Sequence, residues 1–195
     1  MAKAAARSRK ATTPIAETRR AGPLDGRSKR GSRVDIEPMA PAGQISLRAG
    51  KDAMPALAKA LGLTLPDRPK TSTSKGGRTA LWLGPDEWLV IDEAGGDLIA
   101  DCAKVKALHS AVDVSHRNVA IAVSGPAAAD TINAGCPQDL SLAAFPVGAC
   151  SRTVLGKIEM VLLRTGAESF RVECWRSFSC YAFTFLAEAA RDSAA

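Results

Sequence analysis

Residues 113–140, DVSHRNVAIAVSGPAAADTINAGCPQDL, constrain the fold more than any other stretch, because they spell a strand, a turn and a helix in succession. Val119, Ile121 and Val123 fall on alternate positions, the period of a strand with one buried face. Gly125-Pro126 ends that strand. Proline is tolerated in a helix's first turn, where its missing N–H has no partner to lose, so Pro126 is expected to start a helix through Ile132 that Gly135 stops. Leu81-Trp82-Leu83 followed by Gly84-Pro85 repeats this grammar, with Asp86 and Glu87 where a helix's first turn favours anions. The repeat suggests two related halves.

The flanking sequence supplies the rest of one α+β domain over residues 44–195. Ile45 and Leu47 alternate with polar neighbours as a first strand. Asp52 is placed to cap a helix with Met54, Leu57, Ala58 and Leu61 on one face, ended by Gly62. Residues 66–78 read as a loop. Residues 79–83 and 88–91 read as strands around the Gly84-Pro85 turn. A helix is expected over residues 97–108, with Leu98, Ile99, Cys102, Val105 and Leu108 inward, then a strand over 111–114. Three more strands follow, over about 149–155, 158–164 and 169–175, the last two joined to their predecessors by glycine-containing hairpin turns. Ser177 is placed to cap a last helix with Phe178, Tyr181, Ala182, Phe185, Leu186 and Ala189 on one face. This order indicates antiparallel hairpins covered by helices.

Charge sets the N-terminus apart. Of 26 Lys and Arg and 20 Asp and Glu, residues 1–33 hold ten basic and two acidic side chains, or +8, which leaves −2 for the remainder. Residues 1–43 therefore read as a basic, mostly extended or disordered arm, too polar to offset the entropy of ordering by itself. Pro14 and Ile15 offer one apolar anchor on a stiff backbone, and Arg19 lies just beyond. Such an arm fits an acidic partner subunit better than nucleic acid, since no recognition helix, zinc-finger spacing or aromatic RNA-binding signature accompanies it. No apolar run has the length of a membrane span, and the N-terminus lacks the apolar centre of a secretory signal; a soluble, cytoplasmic protein is expected.

Residue types that often carry chemistry have structural explanations here. Asp113, Ser115 and His116 have the composition of a hydrolytic triad, but neighbours on an extended chain point to opposite sides. A turn held by Asp113 and Ser115 accounts for them. His109 suits a helix end, and Trp82, Trp88 and Trp175 suit a core or an interface. Five cysteines without a C-x-x-C pair make no zinc site, and Cys136 has no neighbouring histidine or cationic cluster to activate it. The P-loop and G-x-G-x-x-G spacings are missing. No catalytic, cofactor-binding or metal-ligating residue is assigned. The assigned partner-binding residues are Ile15, Arg19, Trp82, Trp88 and Trp175.

An ordered set of fragments resembles a known family: LGPDEWL at 83–89, DVSHR at 113–117, SGPAA at 124–128, GCPQDL at 135–140, FPVG at 145–148, and Ser177-Phe178 with Tyr181. Together they are similar to the gamma subunit of heterotetrameric sarcosine oxidase, over roughly residues 44–190, and residues 12–19 resemble that subunit's arm. The resemblance implies a complex that oxidatively demethylates sarcosine to glycine, yields hydrogen peroxide and passes the one-carbon unit to tetrahydrofolate. It also implies that FAD, FMN, NAD and the folate belong to partner subunits, that this chain holds no cofactor, and that alpha, beta and delta subunits are its partners in assembly. DVSH and SGPAA also resemble the folate-binding domain of aminomethyltransferases. Those enzymes carry an Asp-Asp pair where Ile158-Glu159-Met160 stands here, so the resemblance implies a retained fold and a lost reaction. A folate-binding protein in its own right is the alternative.

Overall fold

The computed structural model describes residues 22–193. Ten strands and four helices follow in the order β1 (Asp35–Pro38), β2 (Gly43–Ala49), α1 (Met54–Leu61), β3 (Ser72–Lys75), β4 (Arg78–Gly84), β5 (Glu87–Asp92), α2 (Leu98–Ala103), β6 (His109–Asp113), β7 (Asn118–Ser124), α3 (Ala128–Asn133), β8 (Cys150–Leu155), β9 (Ile158–Gly166), β10 (Ser169–Trp175) and, after a 3-10 turn at Arg176–Phe178, α4 (Ser179–Asp192). The strands form two five-stranded antiparallel sheets, β1-β7-β10-β9-β8 and β3-β4-β5-β2-β6.

The two sheets are one topology used twice. In each half, strand, helix, three strands and helix follow in the same order (β2-α1-β3-β4-β5-α2 and β7-α3-β8-β9-β10-α4), and the first strand of each half pairs with its last. The fifth strand of each sheet comes from the other half's leading segment: β1, which precedes β2, pairs with β7, and β6, which precedes β7, pairs with β2. The halves are thus joined by a strand exchange. Two related halves were expected, but the repeat lies elsewhere than the Gly-Pro pairs suggested. Gly84-Pro85 sits in the β4–β5 hairpin, whereas Gly125-Pro126 sits between β7 and α3.

Three apolar clusters hold the layers together. Ile121, Val123, Leu162, Phe170 and Val172 pack against Ile132, Ala182 and Leu186 of α3 and α4. Ile45, Leu47, Trp88 and Val90 pack against Leu57, Leu61, Leu98 and Cys102 of α1 and α2. Leu81, Leu89, Ile91 and Val114 meet Cys150 and Leu163 between the sheets. Strand alternation produces this arrangement, because β5 sends Trp88 and Val90 to its helices and Leu89 and Ile91 to the other sheet. Each such aliphatic side chain withdrawn from water contributes about 1.5–3 kcal/mol before entropy is subtracted.

Several local expectations need correction. Residues 22–43 are not all arm, since Leu24, Val34 and Ile36 are buried in the first cluster and β1 lies upstream of residue 44. Strand β3, inside the expected loop, is polar and short, so it has no apolar period to read. Helix α1 begins after Ala53 without a side-chain cap from Asp52, though Gly62 does close it in the left-handed conformation, at φ 72°. Helix α3 begins two residues beyond Pro126, because the chain first turns at Gly125, at φ 120°. A Cβ there would meet Arg33 O at 2.5 Å. Helix α2 is capped by Asp97, whose side chain accepts from Ala100 N, but it ends at Ala103. Leu108 is 90% exposed, and His109 opens β6 instead of closing a helix, since β6 must begin there to reach Ala49 of β2. The last helix starts at Ser179, whose hydroxyl donates to Arg176 O, so Ser177 does not cap it. Its buried face is Ser179, Ala182, Phe183, Leu186, Ala189 and Ala190, which leaves Phe178 and Tyr181 exposed. No helix among the described residues is long and apolar enough to cross a membrane.

Candidate functional site

Of the residues with the composition of a triad, Asp113 and Ser115 pin the crossover between the halves. Ser115 donates its hydroxyl to Asp113 Oδ1 (2.6 Å) and its backbone N–H to the same oxygen (2.8 Å), while Gln44 N donates to Ser115 Oγ (2.8 Å). These bonds hold the Asp113 carboxyl below its ordinary pKa, the hydroxyl contributing most. Gln44 then reaches across to the other sheet: its amide donates to both Glu173 oxygens (3.2 and 3.1 Å), and its own oxygen accepts from Asn118 Nδ2 (2.9 Å). Arg171 Nε donates to Glu173 (2.7 Å), and its Nη1 pairs with Glu93. Gln44, Arg171 and Glu173 are all buried, so this network fixes where β2 crosses β7 and β10. The expected turn at Asp113 and Ser115 is present, and it is one end of that network.

A second set of charges closes the cleft between the sheets. Glu87 accepts from Arg152 (2.5 Å) on the opposite sheet and from Arg48 (3.0 Å) on its own, and Arg48 lies 3.6 Å from Asp86. Asp86 and Glu87 therefore stand in a hairpin and bind arginines; they do not start a helix. The Arg152 hydrogen bond, followed by the partly opposing effect of burial, leaves the Glu87 pKa below its ordinary value. Glu159 is exposed on β9, beside the cleft. Cys136 is 3% exposed, with Sγ 3.9 Å from Thr153 Oγ1, in an apolar environment.

The indoles divide by strand face. Trp88 is 1% exposed and donates Nε1–H to Pro66 O (2.7 Å), so it belongs to the core and cannot anchor a partner; this corrects its assignment to an interface. Trp82 is half-buried against the same core. Trp175, at the end of β10, is 42% exposed, with the Arg117 guanidinium 5.1 Å from its ring centroid and Phe178 stacked at 6.0 Å. Tyr181, one helical turn beyond Phe178 and likewise exposed, lies 6.0 Å from Phe185. Trp175, Phe178 and Tyr181 thus form an aromatic ridge with an arginine on it, the composition of an interface core more than of a solvated surface. Sequence reasoning placed Phe178 and Tyr181 on the buried face because they share the apolar period of Ala182, Leu186 and Ala189, whereas the buried stripe is centred toward Phe183 and Ala190 and leaves both rings at its exposed margin. Ile15 and Arg19 lie outside the described residues.

Two antiparallel half-domains joined by strand exchange, with their polar residues spent on holding the halves together and an aromatic ridge exposed, define an α+β protein of aminomethyltransferase-like fold. The fold is shared with glycine cleavage system aminomethyltransferase T from Bartonella henselae (TM-score 0.61, 14% identity, 83% of this chain and 49% of that one). Residues 48–192 match the model of the sarcosine oxidase, gamma subunit family, and the chain belongs to that family. It is 34% identical over 168 residues to sarcosine oxidase subunit gamma of Corynebacterium sp. (strain P-1), covering 83% of this chain and 82% of that protein. It also superposes with a TM-score of 0.82 and 30% identity on a chain of heterotetrameric sarcosine oxidase from Corynebacterium sp. U-96 in complex with pyrrole 2-carboxylate, across 90% of this chain and 97% of the other.

Proposed function

We propose that this chain is a non-catalytic subunit of a heterotetrameric sarcosine oxidase that supports assembly with alpha, beta and delta subunits, of which the larger alpha and beta carry FAD, FMN, NAD and the folate site. In that complex sarcosine is demethylated oxidatively to glycine, hydrogen peroxide is formed and the one-carbon unit passes to tetrahydrofolate. The observation that carries the reading is the superposition, over 90% of this chain and 97% of the other, on a chain of such a complex. The use of Asp113, Ser115, Glu87 and Glu173 in hydrogen bonds and ion pairs within the chain supports it. The basic arm and the Trp175 ridge are the attachment points we assign.

Co-expression with the other three subunits tests the reading. The chain should co-purify with flavin-bearing polypeptides, and the complex should release hydrogen peroxide from sarcosine. The chain alone should lack flavin absorbance, demethylation activity and heat of binding to tetrahydrofolate. A yellow or active isolated chain would overturn the reading.

A further inference from the structure

The internal two-fold shows how this fold treats its sheet edges, and one of them is treated differently. At β1 the chain doubles back, and Lys29 and Ile36 exchange backbone hydrogen bonds (2.9 and 2.7 Å). The outer strands β3 and β8 meet at the Thr71–Ala149 bridge and the bond from Cys150 N to Lys70 O (3.1 Å). Along the rest of β3 the residues are Ser, Thr, Ser and Lys, which discourage further pairing. Strand β6 is the counterpart of β1, yet among the described residues no segment pairs with its outer side. It also exposes Val112 (55%), and Leu108 (90% exposed) stands immediately before its first residue.

The free backbone groups can be assigned. Val114 N donates to Gln44 O (2.9 Å), which sets the phase of the ladder: residues 110 and 112 bond to β2, while His109, Ala111 and Asp113 turn their N–H and C=O groups outward. We infer that the outer edge of β6 receives an extended, antiparallel backbone segment of a partner subunit, with apolar side chains for Leu108 and Val112, an inference that rests on the subunit reading above. A second copy of this chain fits less well. Self-pairing centred on Ala111 would bring the Lys106 end of each copy to the Arg117 end of the other, placing like charges side by side. The same flanks favour a partner segment bordered by acids.

Hydrogen exchange on the isolated chain and on the assembled complex tests this. Exchange at Ala111 is expected to slow at least about tenfold on assembly. The double variant Leu108→Lys/Val112→Lys changes exposed residues, and Ala111→Pro removes an outward N–H that β2 does not use. Each is expected to weaken assembly at least about tenfold, the equivalent of one or two strand hydrogen bonds, with the thermal midpoint of the isolated chain unchanged for the lysine variant. Unchanged Ala111 exchange and unimpaired assembly of the lysine variant in an intact complex would overturn the inference alone. A slow Ala111 amide in the isolated chain would assign the edge to its own N-terminal segment, and a concentration-dependent dimer abolished by the lysine variant would assign it to a second copy; either overturns it. Failure of the wild-type chain to join the other subunits overturns it together with the subunit reading.

Discussion

Arg78 shows how single residues join elements in this chain. Its guanidinium bonds Asp92 (2.7 Å), Asp101 (2.8 Å) and Leu61 O (2.8 Å), tying the end of α1 to β4, β5 and α2. Asp92 has a 1% exposed side chain, so Arg78→Met leaves a buried carboxylate without its cation and should cost about 3 kcal/mol in a urea titration. The acids give the pH dependence its sign. Burial raises the Asp92 pKa, but the bonds from Arg78 and Ala94 N outweigh it, and the Glu87 pKa is lowered chiefly by Arg152. A carboxylate with a depressed folded-state pKa contributes stability above its unfolded pKa and loses it as pH falls through the folded value. Stability should therefore be level near neutrality and decline below about pH 4.5, with a shallower decline in Glu87→Gln. Burial pushes the thiols of Cys102 and Cys150 up to about 11 and that of Cys174 to about 12. Of the five free cysteines only Cys180 is exposed, so a thiol reagent at pH 8 should label it within the native protein and reach the other four only in denaturant.

At the scale of elements, the β7–α3 turn is closely held. Gly125 N donates to Glu168 O (2.9 Å) and Ala127 N to Arg33 O (3.1 Å), so this turn clasps the segment that leads into β1. Gly125→Ala puts a side chain at positive φ against Arg33 O and should destabilise by more than about 1 kcal/mol, measured as a shift in the urea midpoint. This element was legible beforehand: the alternation of Val119, Ile121 and Val123 and the Gly-Pro break announce strand and turn, and the apolar runs of β5, β8, β9 and β10 likewise match the observed strands. The elements that escaped are β1 and β3, which are short and polar, and the true length of α2. There the helical period continues to Leu108 in the sequence, while pairing with β2 claims residues 109–113.

For the whole molecule the aromatic ridge has the most direct consequence. Trp175 and Phe178 stack on each other, and Arg117 lies over the Trp175 ring, at the surface and away from the clusters that hold the sheets and helices. Trp175→Ala with Phe178→Ala should therefore leave the folded chain's circular dichroism and thermal midpoint nearly unchanged while reducing co-purification with the larger subunits at least about tenfold, as loss of an aromatic hot spot does. The sequence by itself determined the α+β class, the order of most elements, the division of charge between arm and domain, and the family, because these reside in local period and ordered motifs. Only the tertiary structure decided that the halves exchange their leading strands, that Trp88 is core while Trp175 is surface, and that Asp113 and Ser115 serve the crossover. A period of two tells which side chains share a face, but not which distant strand will lie beside it or what will cover it.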